Sequence, residues 1–160
     1  MTGARTIGLI GGSGLDDWSP GGDFEVLTGE TPWGEPSDPV RVWRFDRCRV
    51  LYLPRHGHDH RHPPHRVNYR ANIHRLRELG ARAVLAVNTV GGISPACAPG
   101  VLAVPDQLID YTWGRAHTFS DGPGVPASLA ADDSGLFGAV QHVDFEAPFS
   151  SRWRKALMAV

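Results

Sequence analysis

Short apolar runs alternate with polar, glycine-rich segments along the first ninety residues of the chain. Residues 6–10 form an apolar run that stops at Gly11, and residues 83–87 are apolar on both faces, as expected of a central parallel strand. Residues 67–79 place apolar or small side chains at close to helical spacing and end at Gly80, which predicts a helix. The order of strand, loop, helix and strand indicates an α/β fold.

Two neighbouring segments predict an antiparallel hairpin. Residues 40–45 alternate between apolar and polar side chains, and residues 49–53 follow after a short connection. A further strand is predicted at residues 24–27, before a proline-rich loop over residues 31–39. The expected architecture is a mixed, mostly parallel twisted sheet with flanking helices.

The second half of the chain is predicted to be less regular. Residues 101–104 favour a strand that resumes at residues 108–110. Residues 111–140 are polar, rich in glycine and proline and without a clear period, which is typical of a long functional loop. A last helix is predicted over residues 151–160, with Ser150 or Ser151 as its N-cap.

Composition narrows the class of protein. The 160 residues suffice for one domain, 41% are hydrophobic and 21% charged, and the net charge of -1 gives no basic field for nucleic acid or an anionic membrane. No apolar run approaches the roughly 20 residues that span a bilayer, and the first residues do not resemble a signal peptide. Cys48 and Cys97 are far apart, which favours reduced thiols in a cytoplasmic protein.

Three polar or glycine-rich loops directly follow predicted strands, at residues 11–17, 55–65 and 88–94. Since ligands of α/β sheets bind at the carboxyl ends of strands, we expect these loops to converge on one crevice. In the first loop, the glycines of residues 11–14 let backbone N–H groups face an anion, and Ser13 adds a hydroxyl. The alternative is a tight turn without a ligand.

The other two loops carry candidate ligand groups. Arg55 follows a strand and a proline, and its planar donors suit phosphate, although a surface salt bridge is the alternative. Histidines stand at positions 56, 58, 60, 62 and 65, a cluster that also suits zinc, but we favour one or two contacting an anion or sugar. Asn88 and the paired glycines after it permit close approach of a flat ligand or phosphate, or else form a bulge.

With these loops in order, the sequence resembles the purine nucleoside phosphorylase and methylthioadenosine phosphorylase family, in its trimeric branch. Residues 110–115 are most similar to bacterial S-methyl-5'-thioinosine phosphorylases. The resemblance extends through nearly the whole chain. It is carried by residues 7–17, 54–57, 67–73, 88–92 and 106–110.

The resemblance implies phosphorolysis of a purine nucleoside to the free base and a pentose 1-phosphate. It implies a cytoplasmic homotrimer whose co-substrate is inorganic phosphate, with no cofactor, no metal and no protein nucleophile. The phosphate ligands it implies are Ser13, Arg55, His56 and the backbone around Thr89. The residues it implies on the nucleoside side are Asn88, Val90, Gly91 and His60, with His142 or Phe145 reaching into a neighbouring subunit's site.

Members of that family continue well beyond residue 160, into a half with a Glu-Gly-Pro motif, a methionine that contacts the sugar and an Asn or Asp that binds the purine. The resemblance therefore implies that residues 1–160 are the N-terminal portion of a single phosphorylase domain. The purine and the 5' substituent stay open, so a methylthioadenosine or an inosine/guanosine phosphorylase is an alternative. Two others are a non-catalytic remnant that binds phosphate or oligomerises, and a metallohydrolase built on the histidines.

Overall fold

The computed structural model describes residues 5–120 and 142–160, which form two compact units. The first holds residues 5–89 and 115–120, and the second holds residues 90–114 and 142–160. No helix within the described ranges has the length and apolar character needed to cross a membrane. Most of the predicted loop at residues 111–140 lies outside the described residues.

The first unit is built on a mixed sheet of five strands in the order β2-β3-β4-β1-β5. Strand β1 pairs in parallel with β4 and β5, and β3 pairs antiparallel with β2 and β4. The predicted mixed α/β sheet and its antiparallel hairpin are confirmed. The strands are β1 (Arg5–Gly11), β2 (Glu25–Leu27), β3 (Val40–Arg44), β4 (Cys48–Pro54) and β5 (Ala83–Val87).

Two strand predictions are wrong. β5 lies at an edge of the described sheet, because no described strand pairs with the side of β5 that faces away from β1, and its Val84 is 45% exposed. The strand expected at residues 101–104 and 108–110 is absent, and Leu102 and Ile109 are exposed. An apolar run becomes a strand only where a neighbour supplies its backbone hydrogen bonds, and no described strand pairs with these segments.

Helix α1 (Tyr69–Glu78) packs on one face of the sheet. It begins at Asn68, whose side chain accepts a hydrogen bond from the Ala71 amide at 3.1 Å, and Gly80 follows its end with φ of +93°. Gly8 permits the close approach, since a Cβ there would lie 3.1 Å from the Leu76 side chain. The predicted helix is confirmed, and it closes a core made of Val40, Val42, Leu51, Leu53 and Leu76.

The alternate side chains of β3 and β4 form an aromatic layer on the opposite face. The Trp18 ring lies 5.5 Å from that of Trp43 and 5.4 Å from that of Tyr52. The Tyr52 hydroxyl donates to the Leu15 carbonyl, and burial raises the pKa of Tyr52 to about 12, so the phenol keeps its proton. Arg41 donates to the Asp16 carbonyl at 3.2 Å. These contacts fix the loop after β1 to the sheet.

The second unit contains the predicted C-terminal helix, α2 (Ser151–Leu157). Ser150 is the N-cap, and its hydroxyl accepts from the Trp153 amide at 3.4 Å. Within the same unit, Arg154 donates to the Pro105 carbonyl at 2.9 Å. The helix is confirmed, and it ends at Leu157 rather than continuing to residue 160.

His74 of α1 makes stability depend on pH. Burial holds its pKa below the usual 6.5, because the charged imidazolium is disfavoured where the ring packs 5.0 Å from Trp33. Below pH 6.5, His74 binds a proton in the unfolded chain but not in the folded one. The free energy of unfolding therefore falls as the pH drops from 6.5 toward the folded-state pKa. We expect the unfolding temperature to fall between about pH 7 and 5, and to fall less steeply in His74→Leu.

The matched control is His65→Gln, at an exposed histidine of the same chain, which should keep the wild-type pH dependence. Thermal unfolding followed by circular dichroism measures all three proteins. Parallel curves for wild type and His74→Leu would show that His74 does not couple folding to pH.

Candidate phosphate site

Three loops begin side by side at the carboxyl edge of the sheet. The Arg55 amide donates to the Gly11 carbonyl at 2.8 Å, and the Gly12 amide donates to the Val87 carbonyl at 2.8 Å. These bonds extend the parallel pairing of β1 with its two neighbours into the loops. The predicted convergence therefore holds for residues 11–17, 55–65 and 88–89, which belong to the first unit.

The Arg55 side chain lies across this edge. Its Nε donates to His56 Nε2 at 3.2 Å, and its Nη1 donates to Asn88 Oδ1. A Cβ on Gly12 would lie 3.1 Å from Arg55 Nη2, so the guanidinium rests against the glycine backbone. Because two partners orient the guanidinium, its planar fork of donors is held in place before an anion arrives.

The glycine loop is tied to the loop after β5. The Thr89 hydroxyl donates to the Ser13 carbonyl at 2.6 Å. Gly14 has φ of +85°, a conformation that favours glycine, and a Cβ there would lie 3.8 Å from Thr89 Oγ1. Ser13 is exposed, so its hydroxyl is accessible to a ligand.

Two histidines complete the cluster. The His56 and His60 rings stack with centroids 5.4 Å apart and planes inclined by 12°. His56 is 6% exposed, and its Nδ1 lies 2.8 Å from the His62 carbonyl. The His60 Nε2 lies 3.3 Å from Ser13 Oγ. The loop after β4 thus places one imidazole beside Arg55 and the other beside Ser13.

Sequence reasoning missed Asp16. Its Oδ2 lies 3.1 Å from His60 Nδ1, and its side chain is 18% exposed. The only signal in the sequence is its position two residues after the glycine loop, where a carboxylate argues against an anion site. The tertiary contact shows that this carboxylate faces the His60 ring.

Six of the ten predicted site residues are linked by one continuous set of contacts. These six are Ser13, Arg55, His56, His60, Asn88 and Thr89. The other four belong to the second unit and are exposed, which are Val90, Gly91, His142 and Phe145. The roles given to all ten residues stay predictions. Within residues 5–120 and 142–160, no three His, Cys, Asp or Glu side chains are arranged to hold a metal ion.

A mixed sheet with a glycine loop, an oriented arginine and paired histidines at its carboxyl edge defines an α/β protein with a candidate anion site at that edge. The sequence model of the phosphorylase superfamily matches residues 6–160. The chain belongs to this family.

Named relatives agree with that assignment. A probable S-methyl-5'-thioinosine phosphorylase of Xanthomonas campestris is 45% identical over 153 residues, which cover 96% of this chain and 56% of the relative. An S-methyl-5'-thioadenosine phosphorylase of Pyrobaculum aerophilum is 49% identical over 118 residues, or 74% of this chain and 42% of the relative. The chain spans about half the length of these relatives.

A solved structure shows the same fold. Methylthioadenosine phosphorylase from Schistosoma mansoni, in complex with tubercidin, superposes with a TM-score of 0.85 at 35% sequence identity. The match covers 97% of this chain and 51% of that one.

Proposed function

We propose that this chain supplies the phosphate-binding part of a purine nucleoside phosphorylase. The observation that carries the proposal is the oriented Arg55 guanidinium, placed with Ser13 and Thr89 around a glycine-rich backbone. Such a set of donors matches a tetrahedral dianion. The names of the relatives point to the same chemistry.

In the proposed reaction a phosphate oxygen forms a bond to C1' of the sugar while the bond from C1' to the purine nitrogen breaks. The sugar passes through an oxocarbenium-like state, which the bound dianion both stabilises and attacks. Ser13, Arg55 and the backbone around Thr89 are proposed to hold the phosphate. His56 would reach it through its backbone N–H, because its two ring nitrogens are bonded to Arg55 and to the His62 carbonyl. The co-substrate is inorganic phosphate, and the proposal includes no cofactor and no resident metal.

The nucleoside is proposed to lie beside the phosphate, against Asn88, Val90, Gly91 and His60. We favour S-methyl-5'-thioinosine as the substrate, because the relatives at 44–45% identity over nearly the whole chain carry that name. The protein is proposed to be a cytoplasmic homotrimer in purine salvage, in which His142 or Phe145 covers the 5' end of a neighbour's substrate.

The test is phosphate-dependent release of purine. The purified protein is incubated with S-methyl-5'-thioinosine, S-methyl-5'-thioadenosine or inosine, with and without inorganic phosphate, and free base and pentose 1-phosphate are measured by chromatography. We expect release only with phosphate, and fastest with the methylthio nucleosides.

Other outcomes discriminate between the alternatives. Base release without phosphate would indicate a hydrolase and contradict the proposal. Phosphate binding without release of any base would show that this chain is a non-catalytic phosphate-binding protein. Stoichiometric zinc in the purified protein would support the metallohydrolase alternative, and sedimentation velocity tests the trimer.

A further inference from the structure

The two stacked histidines of the site have different hydrogen-bond partners. His56 donates from Nδ1 to the His62 carbonyl at 2.8 Å and accepts at Nε2 from Arg55 at 3.2 Å. An arginine N–H only donates and a carbonyl only accepts, so these partners assign His56 a neutral imidazole with its proton on Nδ1. Protonating Nε2 would break its bond with Arg55.

His60 has no such constraint at Nε2. Its Nδ1 lies 3.1 Å from Asp16 Oδ2, and its Nε2 lies 3.3 Å from Ser13 Oγ. A carboxylate only accepts, so Nδ1 carries a proton. A serine hydroxyl both donates and accepts, so Nε2 keeps this partner whether or not it is protonated.

The charge on His60 therefore sets the direction of the Ser13 hydrogen bond. When His60 is neutral, Nε2 accepts the Ser13 proton, and the hydroxyl presents only lone pairs to an incoming anion. When His60 is protonated, Nε2 donates to Ser13 Oγ, and the Ser13 O–H is free to donate to the anion. A bound dianion favours the second state, because it gains both a donor and a nearby positive charge.

We propose that Asp16 and His60 form a positioning pair that converts Ser13 into a phosphate donor by taking up one proton as the anion binds. The proton comes from solvent onto His60 Nε2 and returns when the anion leaves. This inference rests on the proposed function, since it takes Ser13 as a phosphate ligand. His60 acts through Ser13, so it positions the donor and does not itself touch the reacting atoms.

The backbone supports a dedicated role for this side chain. His60 has φ of +55°, the only positive φ outside glycine in the described parts of the chain. A non-glycine residue is disfavoured in this region, and strained conformations concentrate at functional sites. Asp16 is held on the other side by the bond from Arg41 to its carbonyl.

The charged groups around His60 come from two loops. The Asp16 carboxylate contacts His60, and Asp17, the next residue in the chain, is exposed. In the loop after β4, Asp59 and Arg61 flank His60, with Arg61 Nε 3.9 Å from Asp59 Oδ1. Arg55 donates to Nε2 of His56, whose ring stacks on that of His60. The third loop contributes Asn88 and Thr89, neither of which titrates.

The test is calorimetric titration of the protein with sulfate and with inorganic phosphate between about pH 5.5 and 8, where imidazole changes charge. Sulfate stays a dianion across this range, which removes the titration of phosphate itself. Two buffers of different ionisation enthalpy give the number of protons taken up. The variants are His60→Gln, Asp16→Asn and Ser13→Ala, with His58→Gln and Asp17→Asn as matched exposed controls.

On the alkaline side of this range, we expect wild type and both controls to take up close to one proton per sulfate, and their affinity to fall by up to about tenfold per pH unit. The affinity of His60→Gln for sulfate should not depend on pH, and that of Asp16→Asn should depend on pH less steeply than in wild type. Ser13→Ala should bind about tenfold more weakly at low pH, yet within about twofold of wild type at high pH, where Ser13 is not a donor.

Two failures are distinguishable. If wild type binds neither anion, the phosphate site itself is wrong, and the proposed function and this inference fall together. If wild type binds sulfate but His60→Gln retains the same proton uptake, only the inference is overturned. An equal loss of affinity at every pH in Ser13→Ala likewise overturns it.

Discussion

Replacing Arg55 with alanine is expected to weaken the binding of inorganic phosphate by about 10- to 100-fold, the loss typical of a hydrogen-bonded charged group. The guanidinium is already oriented by His56 and Asn88, so wild type loses little entropy when the anion binds. Removing it also exposes the Gly12 backbone, against which Arg55 Nη2 lies. Isothermal titration calorimetry of the purified chain measures the effect.

The conservative variant separates charge from geometry. Arg55→Lys keeps the positive charge but loses the planar fork, so we expect an affinity between those of wild type and Arg55→Ala. Arg44→Ala is the matched control, because Arg44 is exposed and pairs with Glu25 at 2.8 Å on another strand. Equal phosphate affinity in Arg55→Ala and Arg44→Ala would show that Arg55 does not bind phosphate.

Replacing Gly11 with alanine is expected to lower the free energy of unfolding by about 1–3 kcal/mol, the usual cost of overpacking a core. Gly11 is buried at the end of β1, and a Cβ there would overlap the Tyr52 hydroxyl and lie 2.8 Å from Tyr52 Cε2. The ring is itself fully buried and bonded to the Leu15 carbonyl. Accommodating the methyl group therefore displaces the glycine loop, so phosphate affinity should fall as well.

A double-mutant cycle tests this cause. Tyr52→Phe removes the hydroxyl that the new methyl group overlaps, so the cost of Gly11→Ala should be smaller in that background. Gly91→Ala is the stability control, because a Cβ there meets no atom within 4 Å, and its free energy of unfolding should stay within about 0.5 kcal/mol of wild type. Urea denaturation measures all four variants. A cost of Gly11→Ala that is the same in both backgrounds would mean that Tyr52 is not the obstacle.

The amino-acid sequence was sufficient to predict the secondary structure of most of the first unit. Periodicity located the five strands and two α-helices found within the described residues, because strands and amphipathic helices repeat at different intervals. Loops that follow parallel strands meet at one edge, so the positions of Ser13, Arg55 and Thr89 after β1, β4 and β5 indicated a common site. The order of those loops also carried the resemblance to nucleoside phosphorylases, and the match over residues 6–160 confirms that family.

The strand order, and whether the apolar segments after β5 form strands, depended on tertiary structure. An apolar pattern does not specify how many neighbours a strand has, so the sequence placed β5 in the centre of the sheet, whereas β1 is its one partner among the described strands. The same ambiguity produced the strand expected at residues 101–104 and 108–110. Hydrogen bonding to a neighbour, which no local pattern records, decides both cases.

Only tertiary structure gave Asp16 and Tyr52 their roles at the site. The family resemblance singled out His56 and His60 among the five histidines of the loop, but only the fold showed that Asp16 and Ser13 lie at the two ring nitrogens of His60. Likewise, nothing near Tyr52 in the sequence shows that its hydroxyl reaches the Leu15 carbonyl. Local composition determined which side chains were available at the sheet edge, and long-range packing determined their partners, because a hydrogen bond depends on position in space and not on separation along the chain.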